Sequence, residues 1–477
     1  GKPVFWAAIP ERHNFVNGII ATLVVYQFLL LGIGWWASKR NSDSEDFYLG
    51  GRNLGGMVAA LSASASSSSA WSLLGVSGAA FAWGLPAIWL IPATLLGFGI
   101  NWFLIAPRLA RQSRESGAMT LTEFIAGPRG DPVRRTMMRL GAIVILFSFT
   151  FYIAAQFQAA GKTFASVLEV HQTTAIVIGA AVVLVYVWLG GFWAASVTDS
   201  LQGLLMALSA LLLPALALIA VGGPAVLAES LLSSAADNGG TWTGQASLPA
   251  AIGFVFGLFG IGLGYPGQPH VVNRFMAIRD EQALVRGRRV AIGWALIIYT
   301  GMVLLGWCGR VLVGGLEDGE QLLFVMATLL LPAVAAGIMV SAILSAIMST
   351  ADSQLLVAAS SVSHDLRNGE DAGRKGLVQA RWVVLCIGIL AILLAIFFPD
   401  DIFSRVLFAW QALAADLGAL LVMTLWYGLV QAPWRIAALL AGFLLTVALD
   451  WSVQSPGDWM ERLIPLGVAM LLSWVGA

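Results

Sequence analysis

A chain of 477 residues that is 58% hydrophobic and only 11% charged carries more apolar surface than a soluble domain can bury. Runs of about 20 apolar residues recur along it, the length that spans a bilayer, so an all-α integral membrane protein is expected. Lys plus Arg balance Asp plus Glu, 26 against 26, which gives nucleic-acid binding no support. No Gly-Lys-Ser/Thr loop or His/Cys/carboxylate spacing points to ATP use or a metal enzyme.

In chain order, apolar runs and loop punctuation predict about thirteen spans: 17–37, 57–84, 86–107, 137–165, 173–190, 193–221, 249–265, 286–313, 325–360, 379–398, 402–428, 433–450 and 460–476. Residues 1–16 hold Pro3, Pro10, Glu11 and Arg12 but no cleavable signal pattern, so the first span is expected to remain. Basic residues gather in alternate loops and their flanks: Lys39 and Arg40; Arg108, Arg111, Arg114, Arg129, Arg134 and Arg135; Arg274, Arg279, Arg286, Arg288 and Arg289; Arg367, Arg374 and Lys375. The intervening loops 222–248 and 314–324 are acidic, with Glu229, Asp237, Glu317, Asp318 and Glu320. The positive-inside rule then puts the N-terminus outside and the C-terminus in the cytoplasm, with the basic loops at lipid headgroups. Cys308 and Cys386 fall in apolar runs and are expected to be buried free thiols.

The second span is interrupted by hydroxyls, with Ser66-Ser67-Ser68-Ser69 at its centre. Lipid does not tolerate such a face, so this helix is expected to meet protein or water and to unwind, offering carbonyls to a cation. The seventh span ends in Gly257-Leu-Phe-Gly260-Ile-Gly262-Leu-Gly264-Tyr265-Pro-Gly-Gln268-Pro, a second interruption five helices later. Paired interruptions point to two inverted five-helix repeats, 57–221 and 249–428, with the solute between them. The flanking helices 17–37 and 433–476 complete a single transporter domain over 1–477.

On the ninth span Ala346, Ser349, Thr350 and Ser353 share a face by i, i+3, i+4 spacing, and hydroxyl or carbonyl oxygens suit a hard, weakly charged cation. Asp199 and Asp352 lie at membrane depth and must be paired, hydrated, protonated or bound to a cation, and Asp416 shares the problem. Gln268 and His270 sit in the turn after the seventh span, where His270 is expected to be a structural hydrogen-bonder.

These segments resemble the sodium/solute symporter family. The likeness runs in register through residues 45–365, on Phe47-Tyr-Leu-Gly-Gly-Arg52, Trp71, Gly191-Phe-Trp-Ala-Ala-Ser-Val-Thr-Asp199-Ser-Leu-Gln202, Gly264-Tyr265-Pro-Gly-Gln-Pro-His270-Val-Val-Asn-Arg274-Phe-Met and Ser341-Ala-Ile-Leu-Ser-Ala346-Ile-Met-Ser349-Thr350. It implies a LeuT-like fold and Na⁺-driven uptake of a small organic solute, L-proline or a related amino acid, across a bacterial inner membrane. By the same resemblance, Na⁺ would take the carbonyls of Ala65, Ser68 and Ala346 and the hydroxyls of Ser349 and Thr350. Asp199 matches an aspartate on the inner side of the sodium route, where some members hold a second ion. Trp71, Tyr152 and Tyr265 match pocket positions, with the backbone at Ser69 and Ala70 open to a carboxylate.

Two departures stand out. Ser67 occupies the place of an aspartate in proline-transporting members, and Ile261 that of a pocket tryptophan. Asp352 replaces a neutral hydroxyl residue there and is expected to compensate for the lost charge as part of a second ion site or exit pathway. The alternatives are H⁺ coupling through Asp199 or Asp352, another small amino acid or carboxylate as solute, and a solute-sensing membrane module of a signalling protein. The last is disfavoured because no kinase or linker sequence occurs within the 477 residues. An enzyme is not expected, for want of a nucleophile and base pair, and no obligate protein partner is evident.

Overall fold

The computed structural model describes residues 12–38, 49–168, 170–189, 192–237, 242–367, 373–398 and 401–477. Phe47, Tyr48 and Gly191 of the family motifs, the loop residues Lys39 and Arg40, and the N-terminal Pro3, Pro10 and Glu11 lie outside these. In chain order the helices are α1 (Arg12–Ser38), α2 (Gly56–Ala70), α3 (Val76–Trp83), α4 (Leu90–Gly99), α5 (Ala106–Ser116), α6 (Leu121–Ala126), α7 (Arg134–Leu168), α8 (Gln172–Leu189), α9 (Phe192–Val221) and α10 (Pro224–Asp237). Then follow α11 (Leu248–Leu263), α12 (Pro269–Met276), α13 (Glu281–Leu312), α14 (Leu322–Leu330), α15 (Ala333–Ser363), α16 (Gly373–Phe397), α17 (Ile402–Leu413), α18 (Ala419–Tyr427), α19 (Ala432–Ser452) and α20 (Trp459–Val475). A helix lies over every expected span. Among the described residues, nine stretches are long and apolar enough to cross a membrane by themselves. The serine-rich stretch from α2 to α3 is not among them, because its hydroxyls depress its hydropathy.

Three loops expected to be irregular contain helix. The stretch 222–248 carries α10, the turn after the seventh span carries α12, and α5 and α6 fill much of 108–136. The span expected at 325–360 is divided, because Pro332 has no N–H to continue a helix and instead caps the start of α15 from extended backbone. Cys308 is buried as expected, but Cys386 is exposed: on α16 it falls on the outward-facing side of the helix.

The core is built on α2, which packs against α9, α13 and α15. α1 lies at the periphery along α15 and α9. Close approach of α13 depends on glycine. A Cβ on Gly301 would overlap the Ala210 carbonyl oxygen of α9, and one on Gly306 would lie 2.8 Å from the Phe81 backbone nitrogen in α3. At the end where the basic loops gather, Leu54 and Ile278 form a short parallel bridge, tying the segment before α2 to the one before α13.

Candidate functional site

The site grows from one backbone break. Ser69 holds φ +43°, ψ −174°, in the left-handed range that a residue with a Cβ seldom adopts. The helix cannot carry its hydrogen-bond ladder through such a residue, so groups around it find other partners. The Ala70 N–H donates to Gln156 Oε1 of α7 at 3.1 Å. The Trp71 N–H donates to Ser69 Oγ at 3.1 Å and to the Ser68 carbonyl, and a π-helical turn, Trp71–Gly75, leads into α3.

Facing the break, α15 presents its hydroxyl face. Ser349 Oγ lies 3.2 Å from the Ala65 carbonyl and 3.4 Å from that of Ala346, while Thr350 Oγ1 donates to the Ser66 carbonyl at 3.0 Å. Ala65, Ala346, Ser349 and Thr350 thus come together as expected oxygen donors. The Ser68 carbonyl is engaged by the Trp71 N–H, and the carbonyl nearest Thr350 is that of Ser66, which sequence reasoning did not single out. The oxygens gathered here, the Ala65, Ser66 and Ala346 carbonyls with the Ser349 and Thr350 hydroxyls, are neutral hard donors.

One to two turns nearer the basic loops lies a charged cluster. Asp199 Oδ2 accepts from Ser62 at 2.7 Å, Ser66 at 3.2 Å and the Arg274 guanidinium at 3.0 Å, in a pair whose side chains are 0% and 1% exposed. Arg274 also donates to Ser353 at 2.5 Å, to Ser62 at 3.0 Å and to the His270 carbonyl. Ser353 lies 3.0 Å from Ser66 and donates to Asp352 Oδ1 at 3.0 Å. Asp352 is buried, and its Oδ2, like Oδ1 of Asp199, has no hydrogen-bond partner among the described residues. Asp352 therefore stands one residue from the Asp199–Arg274 network and one turn below Ser349. Arg274 lies in a motif that sequence reasoning quoted, yet its charge was assigned to topology. A cavity of about 20 Å³, lined by Asn273, Arg274, Ser353 and Thr120 among others, adjoins the cluster and has room for about one water.

On the other side of the break the aromatic residues assemble. Tyr265 follows α11 in a short 3₁₀ turn, Tyr265–Gly267, so the seventh span is broken between α11 and α12. Its hydroxyl lies 3.0 Å from that of Tyr299, and its ring is 4.7 Å from Trp410. Trp71 packs against Tyr299 at 6.1 Å and Phe403 at 5.6 Å, and Tyr152 lies 6.5 Å from Trp410. Ile261 is buried, and its carbonyl accepts from the Trp410 indole at 3.2 Å. Trp410 of α17 thus lies between the Ile261 backbone and the Tyr265 ring.

Gln156, Tyr299, Phe403 and Trp410 were not found from sequence, because each sits in an ordinary apolar helix with no local signal. Gln268 donates to the Gly264 carbonyl at 3.2 Å, which also accepts from the Gly267 N–H, and to that of Trp410 at 2.9 Å, bracing the second break. His270 is buried in edge contact with Phe149 and Tyr152. Asp416 lies in a π-helical turn, Ala414–Gly418, where its Oδ1 accepts from the Leu417 N–H.

At the end carrying the basic loops, Glu123 of α6 binds Arg134 at 2.7 Å, the Met119 N–H at 2.9 Å and His364 at 3.0 Å, while Thr120 donates to Asp365 at 2.7 Å. Burial raises the Glu123 carboxyl, but the bonds from His364, Met119 and Arg134 outweigh it and hold the group down at about 2.

Two broken helices in one bundle with a hydroxyl-lined third match the arrangement by which ion-coupled carriers build their sites. A family model described as the sodium:solute symporter family matches residues 47–442. The chain belongs to that family. As a sodium:solute symporter it is a transporter, with Na⁺ as its coupling ion. It is 34% identical to the high-affinity proline transporter of Bacillus subtilis, over 93% of this chain and 94% of that one. It is 33% identical to the sodium/proline symporter of Escherichia coli, over 90% and 87%. Among solved structures, a Na⁺-coupled sialic acid symporter in a substrate-bound outward-open state matches with TM-score 0.79 at 16% identity, over 96% of this chain and 97% of that one. A nucleobase-cation-symport-1 family transporter in a closed conformation matches at 0.57 and 13% identity, over 91% and 94%. The fold of this symporter is LeuT-like.

Proposed function

We propose that this symporter imports a small amino acid, L-proline first among candidates, together with Na⁺, by alternating access. The observation that carries this reading is the break at Ser69. It sets the Ala65 and Ser66 carbonyls beside Ser349 and Thr350 on one side and the Trp71, Tyr152 and Tyr265 aromatics on the other, in a chain about one-third identical to proline transporters. Na⁺ takes the carbonyls of Ala65, Ser68 and Ala346 with the hydroxyls of Ser349 and Thr350. The solute lies against Ser69, Ala70, Trp71, Tyr152, Ile261 and Tyr265, and its carboxylate replaces Gln156 at the Ala70 N–H. Ion and solute favour each other because both stabilise the same arrangement of α2 against α15.

The charged cluster serves a second ion or the exit pathway. Arg274 contributes one positive charge and Asp199 and Asp352 two negative ones, leaving one negative charge to be met by a cation. Asp352 in this way replaces the carboxylate absent at Ser67. The repeats run over 57–221 and 249–428, in a bacterial inner membrane, with the N-terminus periplasmic and the C-terminus cytoplasmic, the orientation the basic loops favour.

The test is radiolabelled proline uptake into proteoliposomes under an inward Na⁺ gradient. K⁺ replacement, a pH gradient without Na⁺ and a panel of competing amino acids serve as controls. Na⁺-driven accumulation establishes the reading. Uptake driven by the pH gradient alone moves coupling to H⁺, and competition by another amino acid without proline uptake moves the solute.

A further inference from the structure

The first helix, α1, lies outside the two repeats, and much of it is apolar and exposed, with Val24, Val25, Phe28 and Leu29 open to the surroundings. Near its middle, Tyr26 and Gln27 are half-buried instead. Polar groups at that depth need partners, and both find them on one turn of α15. The Tyr26 hydroxyl lies 2.5 Å from Ser345 Oγ. Ser345 gives its own proton to the Ser341 carbonyl at 2.7 Å, so the tyrosine is the donor. Gln27 donates to the Met348 sulfur at 3.3 Å.

Two close approaches hold the helices together nearer their starts. A Cβ on Gly18 would lie 2.8 Å from that of Ala333, and one on Gly337 would lie 2.7 Å from the Thr22 Cβ. The four contacts advance along both chains in the same direction, so α1 runs parallel to α15 from Ala333 to Met348.

Ser345 and Met348 are i, i+3 neighbours, and Ala346 and Ser349 form the next such pair around the helix. One side of this turn is therefore gripped by α1. The adjoining side carries the Ser349 hydroxyl, 3.2 Å from the Ala65 carbonyl of α2 and 3.4 Å from that of Ala346. We propose that Tyr26 and Gln27 are positioning residues of the sodium site, fixing the rotation of α15 at which Ser349 meets the broken helix. A rotation of ~20° moves a Cα on a cylinder of radius about 2.3 Å by roughly 0.8 Å, and a hydroxyl further from the axis by more. That is enough to spoil the contact with Ala65. That these oxygens hold Na⁺ is the transport reading, on which the inference rests.

The purified full chain is unfolded thermally in detergent without solute, over a series of NaCl concentrations with choline chloride keeping ionic strength constant. The Na⁺ concentration for half-maximal stabilisation is read. Tyr26→Phe, which keeps the ring, is expected to raise it about fivefold, equivalent to ~1 kcal/mol, the size of one net hydrogen bond. Gln27→Leu raises it in the same direction. Ser345→Ala reproduces Tyr26→Phe, and the pair does not exceed either single variant, because one bond joins the two residues. An unchanged value in Tyr26→Phe, where Ser349→Ala/Thr350→Ala raises it, overturns the inference and leaves the sodium site standing. No change in either variant overturns both. Increments that multiply in the Tyr26→Phe/Ser345→Ala pair, or an equal rise in Phe28→Leu on the exposed side of α1, also overturn the inference. A merely structural role would lower the unfolding midpoint in choline chloride and leave the half-stabilising Na⁺ concentration where it was.

Discussion

Arg274→Met is the substitution with the largest calculable consequence. The guanidinium and Asp199 are buried together, at 1% and 0% exposure, and removing one partner of such a pair costs about 3–5 kcal/mol because the other charge is left uncompensated. Methionine retains much of the volume, so most of the loss is electrostatic. Asp199 would keep only the Ser62 and Ser66 hydroxyls, with the Asp352 carboxylate beside it. Thermal unfolding of the purified protein in detergent reads the effect, with Asp199→Asn and the double variant completing a double-mutant cycle. The double variant should regain more than half of the loss, since the carboxylate no longer lacks a counter-charge. The loss in Arg274→Met should also shrink when NaCl replaces choline chloride, because a cation bound only by the folded state stabilises it by mass action. A cost below about 1 kcal/mol, or additivity of the two changes within about 0.5 kcal/mol, would refute the argument.

Ser349→Ala/Thr350→Ala removes two hydroxyl ligands, and the Na⁺ concentration for half-maximal uptake should rise at least about tenfold while solute binding at saturating Na⁺ changes little; an unchanged Na⁺ dependence excludes these hydroxyls from the ion site. Asp352→Asn should weaken Na⁺-dependent uptake, and uptake identical to the parent protein would remove Asp352 from the ion route. Gln156→Ala leaves the Ala70 N–H unpaired in the solute-free state, so a solute carboxylate that takes this N–H should bind several-fold more tightly; weaker or unchanged binding would place the carboxylate elsewhere. For Glu123 the folded-state value is depressed from 4.5 to about 2, so its contribution is present above pH 4.5 and lost as pH falls towards 2. That contribution is about 3 kcal/mol, and unfolding measured between pH 6 and pH 2 should show an acid step that Glu123→Gln removes.

The two interruptions were readable because they strain a rule of the bilayer: a run of serines or a Pro-Gly-Gln-Pro turn is out of place against lipid. Helical spacing puts Ala346, Ser349, Thr350 and Ser353 on one face of the ninth span, whereas Ala65 comes from the family resemblance. Partners from distant helices were not readable. Gln156 reaches Ala70 across 86 residues and Arg274 reaches Asp199 across 75, and nothing in either local segment encodes the meeting. Arg274 was further hidden because charge counting treats every arginine near a loop as a topology signal. The Ser68 carbonyl illustrates a finer limit: unwinding was foreseen, but that the Trp71 N–H turns onto this carbonyl follows from the dihedral angles at Ser69. The division at Leu331–Pro332 was overlooked because both halves are apolar, and hydropathy does not distinguish a lying helix from a crossing one.

The hydroxyls of α2 also impose an order on assembly. A segment with seven serines between Met57 and Ser72 has little reason to stay in lipid when it leaves the ribosome. Its polar partners arrive much later: Asp199 lies 137 residues beyond Ser62, and Ser349 lies 284 beyond Ala65. At synthesis rates of about 5–20 residues per second, the second delay is roughly 15–60 s. Throughout that interval the α2 half of the proposed ion site is a helix without its polar partners, held by neighbours already inserted or by the insertion machinery. Its completion is thus a late, long-range event, and a chain halted before α15 would lack the hydroxyl face that packs on Ala65 and Ser66.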